Sequence, residues 1–401
     1  MLASTPAVAS LELTHELTAE ARQWLARAQE FSDEVVRPLG RVLDRMDAQS
    51  AIAAGSPVRD FLAQAHREGY TRLTDAPHRG GIGLSAGAEY LVLEELATAD
   101  AGLAVLLLAA PLPFRWAGTV SLGPLDREVS IPYFRGERID WIGANAVTDG
   151  ARFRATPAAG GWRVSGRADA VPGGAIATHA AIACTTEGEA PGRTALAIVP
   201  LDRHGASRGP VVDQLGLRTQ ARARLVLDGL RISSDELLAA PCAAQVDTAA
   251  ALAHVVAAIA AVGIGRAAYE GALRLARERV HRGTLLAEYG NDRRHLFRLF
   301  ALLEAARALT RSAHLRASAG PDRDEAPLSH AVAARAFALE AALEIVDAAM
   351  ELCARRADAR GVVRYLDGTT FQPEKLLRDV RSCTVVRPAG GSPAPLAAVY
   401  P

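Results

Sequence analysis

Arg378-Asp379-Val380-Arg381-Ser382-Cys383-Thr384-Val385-Val386-Arg387-Pro388-Ala389-Gly390-Gly391 lies near the C-terminus, behind a long stretch of helical periodicity. The Arg-Asp pair closes a helix, and Pro-Ala-Gly-Gly stops it. Proline has no N–H to continue the ladder, and glycine gives up the most backbone entropy. Working back from this stop, apolar residues recur at helical spacing over 245–282, 293–319, 331–356 and a last segment ending near Arg381. Four helices joined by short loops predict an antiparallel bundle.

The pattern changes ahead of the bundle. Between Glu137 and Ile232 the chain runs in short apolar stretches such as Ala181-Ile182-Ala183-Cys184 and Ala195-Leu196-Ala197-Ile198-Val199. Gly160-Gly161 and Pro172-Gly173-Gly174 punctuate them, which predicts a β unit of six to eight strands. Before that, residues 14–47, 58–69, 86–99 and 102–109 carry helical spacing, with Pro38 expected to break or kink the first. The fold class is therefore α+β. An N-terminal all-α domain (1–137) precedes a middle β-barrel or sandwich domain (138–242) and a C-terminal four-helix bundle (243–401).

Lys plus Arg and Asp plus Glu both count 45, so the net charge is zero. No global field favours nucleic acid or an anionic membrane. The four cysteines, Cys184, Cys242, Cys353 and Cys383, are far apart and form no zinc-type spacing, which fits a reduced, cytoplasmic chain. The apolar run 249–265 contains His254 and is short for a membrane span, so it reads as a buried helix. No metal, nucleic-acid or membrane partner is expected.

Several motifs, in this order, resemble those of the acyl-CoA dehydrogenase superfamily. Pro77 to Leu84 with Glu94-Glu95-Leu96-Ala97 is similar to the family's P-x-x-x-G-G-x-G turn and E-E-L-A helix. Leu215-Gly216-Leu217-Arg218-Thr219 followed by Leu227-Asp228-Gly229-Leu230 is similar to its L-G-x-R and F-D-D-V signature. Ala276 to Gly283 resembles its A-x-x-R-x-x-F-G helix end, and Lys375 to Asp379 its R-L-x-R-D. The resemblance covers nearly the whole chain. It implies FAD, or alternatively FMN, held between the β unit and the bundle. It implies a small-molecule or acyl-thioester substrate and a homodimer or homotetramer, in which Arg279 and Arg282 of one subunit reach the other's flavin. On this resemblance Asn145 is a candidate to hydrogen-bond the isoalloxazine edge, with a turn-forming asparagine as the ordinary alternative, and Val171 and Gly173 are candidate backbone donors to the ring.

The chain also departs from the family pattern. The family's T-E-P-x-A-G-S-D is absent from the corresponding region, Trp141 to Ala151, and Pro172 stands where a threonine normally faces the ring. Gly160-Gly161-Trp162-Arg163-Val164-Ser165-Gly166-Arg167 is closer to the flavin-dependent monooxygenase branch, although an ordinary hairpin carries the same letters. The two places where family members carry a catalytic Glu hold Arg387 and Ala253. His254, beside the second, is the first candidate base because imidazole titrates near neutral pH; a hydrogen-bonded core histidine is the ordinary alternative. Arg387 is a candidate for pairing with an anionic substrate group. Cys383, Asp149 and Asp169 are weaker candidates, with packing or surface as their default. Three functions follow: an oxygenating or oxidising flavoenzyme, a dehydrogenase with a non-standard base, and a non-catalytic subunit of a heteromer.

Overall fold

The computed structural model describes residues 18–119, 123–147, 153–188, 194–238, 242–319, 327–354 and 361–385. Seven helices come first: α1 (Ala19–Phe31), α2 (Arg37–Leu43), α3 (Pro57–Glu68), α4 (Ala86–Ala99), α5 (Ala101–Ala109), α6 (Leu112–Thr119) and α7 (Ile131–Phe134). Side-chain caps start them where the sequence supplies a short oxygen. Thr18 Oγ1 accepts from Ala21, Ser85 Oγ from Ala88, and Asp100 Oδ1 from Leu103. Pro38 does not break the first helical stretch. A π-helical turn at Ser32–Val36 runs without a break into α2, and Pro38 follows directly on this widened turn, which accommodates a residue that would disrupt an ordinary α-helical ladder. Helices α6 and α7 escaped the sequence reading because Pro113 and Pro132 interrupt their patterns.

An eight-stranded sheet follows: β1 (Gly143–Ala146), β2 (Phe153–Ala158), β3 (Gly161–Val171), β4 (His179–Thr186), β5 (Thr194–Pro200), β6 (Ala206–Val211), β7 (Ala223–Ile232) and β8 (Leu237–Leu238). Its order is β6-β7-β3-β2-β4-β5-β8, with β1 beside β4 in parallel. One face buries Ala144, Ala146, Phe153, Val164, Ile182 and Leu227. Ala181, Ala183 and Ile198 lie on the other face, under Leu112 and Trp116 of α6 and Ala249 of the next helix.

That helix is α8 (Cys242–Glu278), the long first rod of the bundle. It is apolar enough over Gln245–Glu278 to cross a membrane, yet 78% of its most apolar window is buried by protein, as in a core helix. After it come the hairpin β9 (Val280–His281) and β10 (Thr284–Leu285), α9 (Gly290–Ser318), α10 (Pro327–Cys353), the hairpin β11 (Val363–Arg364) and β12 (Thr370–Phe371), and α11 (Pro373–Val385). The Pro-Ala-Gly-Gly stop and Arg387 lie outside the described residues.

A buried ion cluster joins the three units. Lys375 Nζ on α11 lies 2.6 Å from Asp379 Oδ2 and 2.9 Å from Asp100 Oδ2 at the start of α5. Asp100 Oδ1 also accepts from Thr219 Oγ1 at 2.9 Å, and Asp379 Oδ1 from the N–H of Leu217 at 2.6 Å. Arg378 forks onto Asp44 at 2.8 and 3.1 Å. Gly216 lets the strand-unit loop lie on α11: a Cβ there would sit 2.2 Å from the carbonyl of Arg378.

Gly216→Ala should therefore push the loop off α11, because the obstructing atoms are backbone and cannot rotate away. Lys375→Met leaves two buried carboxylates facing each other and should cost about 3–5 kcal/mol of unfolding free energy. Urea unfolding of the two variants checks both; changes under about 0.5 kcal/mol would contradict the joining role.

Candidate active site

Of the sequence candidates, Asn145 lies on β1, Val171 and Gly173 at the end of β3, and His254 on α8. Val171 and Gly173 belong to one of two turns that are tied together. At the end of β3, Ala170 takes a left-handed φ of 53°, and Gly173 follows at 72°. Opposite, Leu217 and Ala221 stand at 53° and 47°. Left-handed alanines are strained, and strain of this kind gathers at functional sites. The turns are tied together because the N–H of Gly173 donates to Gln220 O at 2.8 Å and that of Ala175 to Ala221 O at 3.1 Å. Gly173 thus has no free N–H for a ligand, which corrects that part of the expectation. Its role is close packing: a Cβ there would lie 3.1 Å from Leu106 Cδ1 and 3.4 Å from Gly143 O. Val171 is buried, at the β3 end that pairs with Ala223.

Asn145 lies two residues along from Gly143 on β1. It pairs in register with Ala181, so its side chain shares the sheet face covered by α6 and α8. Both Nδ2 and Oδ1 of its amide are buried and have no hydrogen-bond partner among the described residues; Trp116 Nε1 on α6 is orphaned likewise. An amide that wants both a donor and an acceptor fits the alternating N–H and C=O edge of a flavin ring. The residues present are thus suited to the cofactor that the sequence resemblance implies.

On the bundle side, His254 is 6% exposed. Its Nδ1 lies 3.3 Å from Arg335 Nη1 on α10. A guanidinium has no lone pair to offer, so Nδ1 accepts and the ring proton sits on Nε2. Burial, with the Arg335 charge adding to it, pushes His254 down to about 4. His254 is then a neutral N–H donor at physiological pH, not the titrating base expected from its residue type. Arg222, at the start of β7, is also buried and donates from Nε to Gln220 Oε1. Cys383 on α11 adjoins both arginines, and burial pushes its thiol up to about 12. It is inert as a nucleophile, since the thiolate is the reactive form.

The other candidates lie elsewhere. Arg279 donates to Leu352 O at 3.3 Å, and Arg282 is exposed in the β9–β10 turn with φ 48°. Along α8, Arg279 is roughly 38 Å from His254 at 1.5 Å per residue, so both cannot serve one site of a single chain. Asp169 pairs with Arg224 at 2.5 Å near the surface. Asp149 and Arg387 lie outside the described residues. Ser165 of the Ser-Gly-Arg segment accepts from the N–H of Gly229 at 3.0 Å, and Arg167 is exposed, so that segment is used as a hairpin arm. Sequence reasoning missed Arg222, Gln220 and Arg335. In a chain so rich in arginine nothing marks them out, and only the left-handed turn before Arg222 turns it inward. A cavity of about 700 Å³ opens elsewhere, lined by Arg41, Asp100, Gly271, Arg274, Phe371 and Lys375. It borders the ion cluster and includes none of the residues just described.

Family models agree with this architecture. The acyl-CoA dehydrogenase N-terminal domain matches residues 18–114, and the acyl-CoA dehydrogenase C-terminal domain matches residues 244–391. The chain belongs to the acyl-CoA dehydrogenase superfamily, whose members are flavin oxidoreductases. Among relatives, the probable acyl-CoA dehydrogenase fadE25 of Mycobacterium leprae is 25% identical, over 80% of this chain and 82% of its own. The 3-(aryl)acrylate reductase of Clostridium sporogenes is 22% identical, over 88% and 91%. The amino sugar nitrososynthase DnmZ of Streptomyces peucetius is 29% identical, over 59% and 61%. Solved structures share the fold. Butyryl-CoA dehydrogenase from Megasphaera elsdenii has a TM-score of 0.75 at 19% identity, covering 92% of this chain and 94% of its own. Glutaryl-CoA dehydrogenase from Mycobacterium smegmatis, in complex with FADH2, has 0.74 at 17%, over 94% and 92%. Dibenzothiophene monooxygenase (TdsC) from Paenibacillus sp. A11-2 has 0.72 at 21%, over 95% and 96%.

The histidine charge state has a measurable consequence. A ring held near 4 in the fold and near 6.5 in the unfolded chain gives stability that is whole above pH 6.5 and is lost as pH falls towards 4. The unfolded state takes up protons first, so the slope is up to about 1.4 kcal/mol per pH unit for this group. His66 and His179, also pushed to about 4 by burial, act in the same sense. Urea midpoints measured from pH 7 to pH 4.5 should fall less steeply in His254→Gln than in the parent. Parallel profiles would contradict a buried neutral His254.

Proposed function

We propose that this chain is an FAD-dependent oxidoreductase that oxidises or oxygenates a specialised small molecule, without a carboxylate base for α-proton abstraction. The carrying observation is the state of the base position. Removal of an α-proton needs a group basic enough to take it and free to do so. Ala253 has no ionisable side chain, and His254 beside it is weakly basic with Nδ1 already occupied. Arg387, at the other position where the family carries Glu, is a cation. Its part in this reading is to charge the pocket.

FAD is favoured over FMN by the fold and by the FADH2 complex of the glutaryl-CoA dehydrogenase neighbour. Bound flavin supplies the two-electron redox chemistry. Asn145 would hold the polar edge of the ring, and the Val171–Gly173 turn would support it. His254 Nε2–H would donate to a substrate or ring oxygen, and α6 with α8 would keep water out. Arg279 and Arg282 would serve a second copy of the chain, which makes the working form a homodimer or homotetramer. Cys184, Cys353 and Cys383 are buried thiols outside any disulfide among the described residues, which supports a cytoplasmic setting.

A dehydrogenase acting on an acyl thioester is the second reading, favoured by relatives named acyl-CoA dehydrogenase and by an arylacrylate reductase. The nitrososynthase relative and the TdsC fold neighbour favour the first. The third, a non-catalytic partner subunit, draws on the departures from the family's flavin motifs.

The purified chain should be yellow, or become so with FAD, with a band near about 450 nm. Asn145→Ala should weaken FAD binding about 5- to 10-fold, the cost of about one hydrogen-bonded group. Without O₂, butyryl-CoA and longer acyl-CoAs should leave the band unbleached. Rapid bleaching would overturn the oxidase or oxygenase reading in favour of a dehydrogenase. A colourless chain that takes up neither FAD nor FMN would overturn both.

A further inference from the structure

Three arginines are buried in the described residues: Arg222, Arg266 and Arg307, with 7%, 5% and 5% exposure. Two are neutralised by protein. Arg266 meets Glu95 at 2.9 Å, Glu270 at 2.8 Å and Glu94 at 3.3 Å. Arg307 meets Glu94 and Glu304, each at 2.5 Å. Arg222 is different. Its Nε donates to the neutral Gln220 amide, and its charged surroundings are Arg335, a like charge, and the protonated Cys383 thiol. No described carboxylate acts on it. Burial and the facing Arg335 pull the guanidinium down to about 10.

A buried cation without a counter-ion costs several kcal/mol, and removing water from it without return is rare in folded chains. Here two cations converge. Arg335 reaches the same place from α10 and turns one N–H onto His254, whose own Nε2–H is a further donor. Both guanidinium groups and His254 Nε2–H are donors, and the acceptors they are seen to meet, Gln220 Oε1 and His254 Nδ1, are neutral. The left-handed Ala221 immediately before Arg222 fixes the direction of its side chain at a cost in strain. The Gln220 carbonyl also holds the Gly173 turn, so the cationic group adjoins the proposed flavin floor.

We propose that Arg222, supported by Arg335, is a specificity-determining residue that binds a carboxylate of the substrate. The planar fork of a guanidinium matches a carboxylate with two parallel hydrogen bonds. The substrate class is thus a small organic acid, or a molecule with a free carboxylate close to the reacting atoms. This rests on the reading of the region as a substrate site beside the flavin, and the two are tested separately.

The experiment is thermal unfolding of the intact protein, with and without saturating FAD, at constant ionic strength in sodium chloride. Succinate at tens of millimolar should raise the midpoint by about 2–4 °C through preferential binding to the folded state. Sodium phosphate at the same ionic strength should do less. Arg222→Gln should lose the succinate effect, Arg222→Lys should keep part of it, and both should bind FAD within about 2-fold of the parent, as for a group outside the cofactor contacts. No succinate effect in the parent protein overturns the proposal, whatever the variants do. So does an equal effect in Arg222→Gln, or a phosphate effect that exceeds it. Loss of FAD binding in Arg222→Gln with the succinate effect intact would assign the arginine to the flavin and also overturn it. Failure of the parent to bind FAD, with the succinate effect present, would instead count against the flavin reading and leave the carboxylate site standing.

Discussion

One ion cluster, centred on Lys375, ties the helical unit, the sheet and the bundle together. Lys375 stands between Asp100 and Asp379, with all three side chains almost completely withdrawn from water. Asp100 also caps α5 and holds Thr219 of the strand unit, while Asp379 holds the backbone of Leu217. Helical unit, sheet and bundle therefore meet at one neutralised charge cluster. Any one of these ions left alone would be strongly destabilising, so the three units dock together or not well at all. That docking presses the Gln220–Arg222 turn against the bundle.

The chain uses buried charge in two opposite ways. Around Glu94 and Glu95, arginines from α8 and α9 meet carboxylates from α4, and each cation is satisfied within the protein. Arg115 does the same with Asp75 and Glu89 at 3.0 and 3.1 Å. The Glu94–Glu95 cluster fixes how α4 sits on the bundle, and the Arg115 cluster ties the N-terminal helices to one another. Beside the left-handed turns the bookkeeping stays open. Among the described residues, Arg222 meets no carboxylate, the Asn145 amide has no partner, and His254 keeps a donor to spare. Closed networks build the frame, and open ones mark where a ligand would complete the structure.

Much of the frame was legible in the sequence. Helical spacing gave α4 and the bundle rods to within a few residues, and alternating runs located the sheet, because periodicity reports directly on which face is buried. The motifs around Leu215 and Arg378 were visible separately. Their contact was not, since the two segments are about 160 residues apart and only the folded chain brings Leu217 to Asp379. Pro38 misled because a π-helical turn, which has no simple sequence signal, made room for it. The site was less legible. His254 was found, but its neutral state comes from Arg335 on another helix. Gly173 was found for its position, while its N–H proved to be spent on Gln220. Arg222 was invisible among so many arginines, because its meaning lies in which carboxylates are absent around it.

The most direct test of the account is a structure of the chain solved after soaking or co-crystallisation with FAD. The ring is expected between the sheet and the bundle, its polar edge within hydrogen-bond distance of the Asn145 amide and its face near the Val171–Gly173 turn. FAD bound instead in the cavity lined by Arg41, Gly271 and Phe371, or no FAD at all with the Asn145 amide still unpartnered, would contradict it.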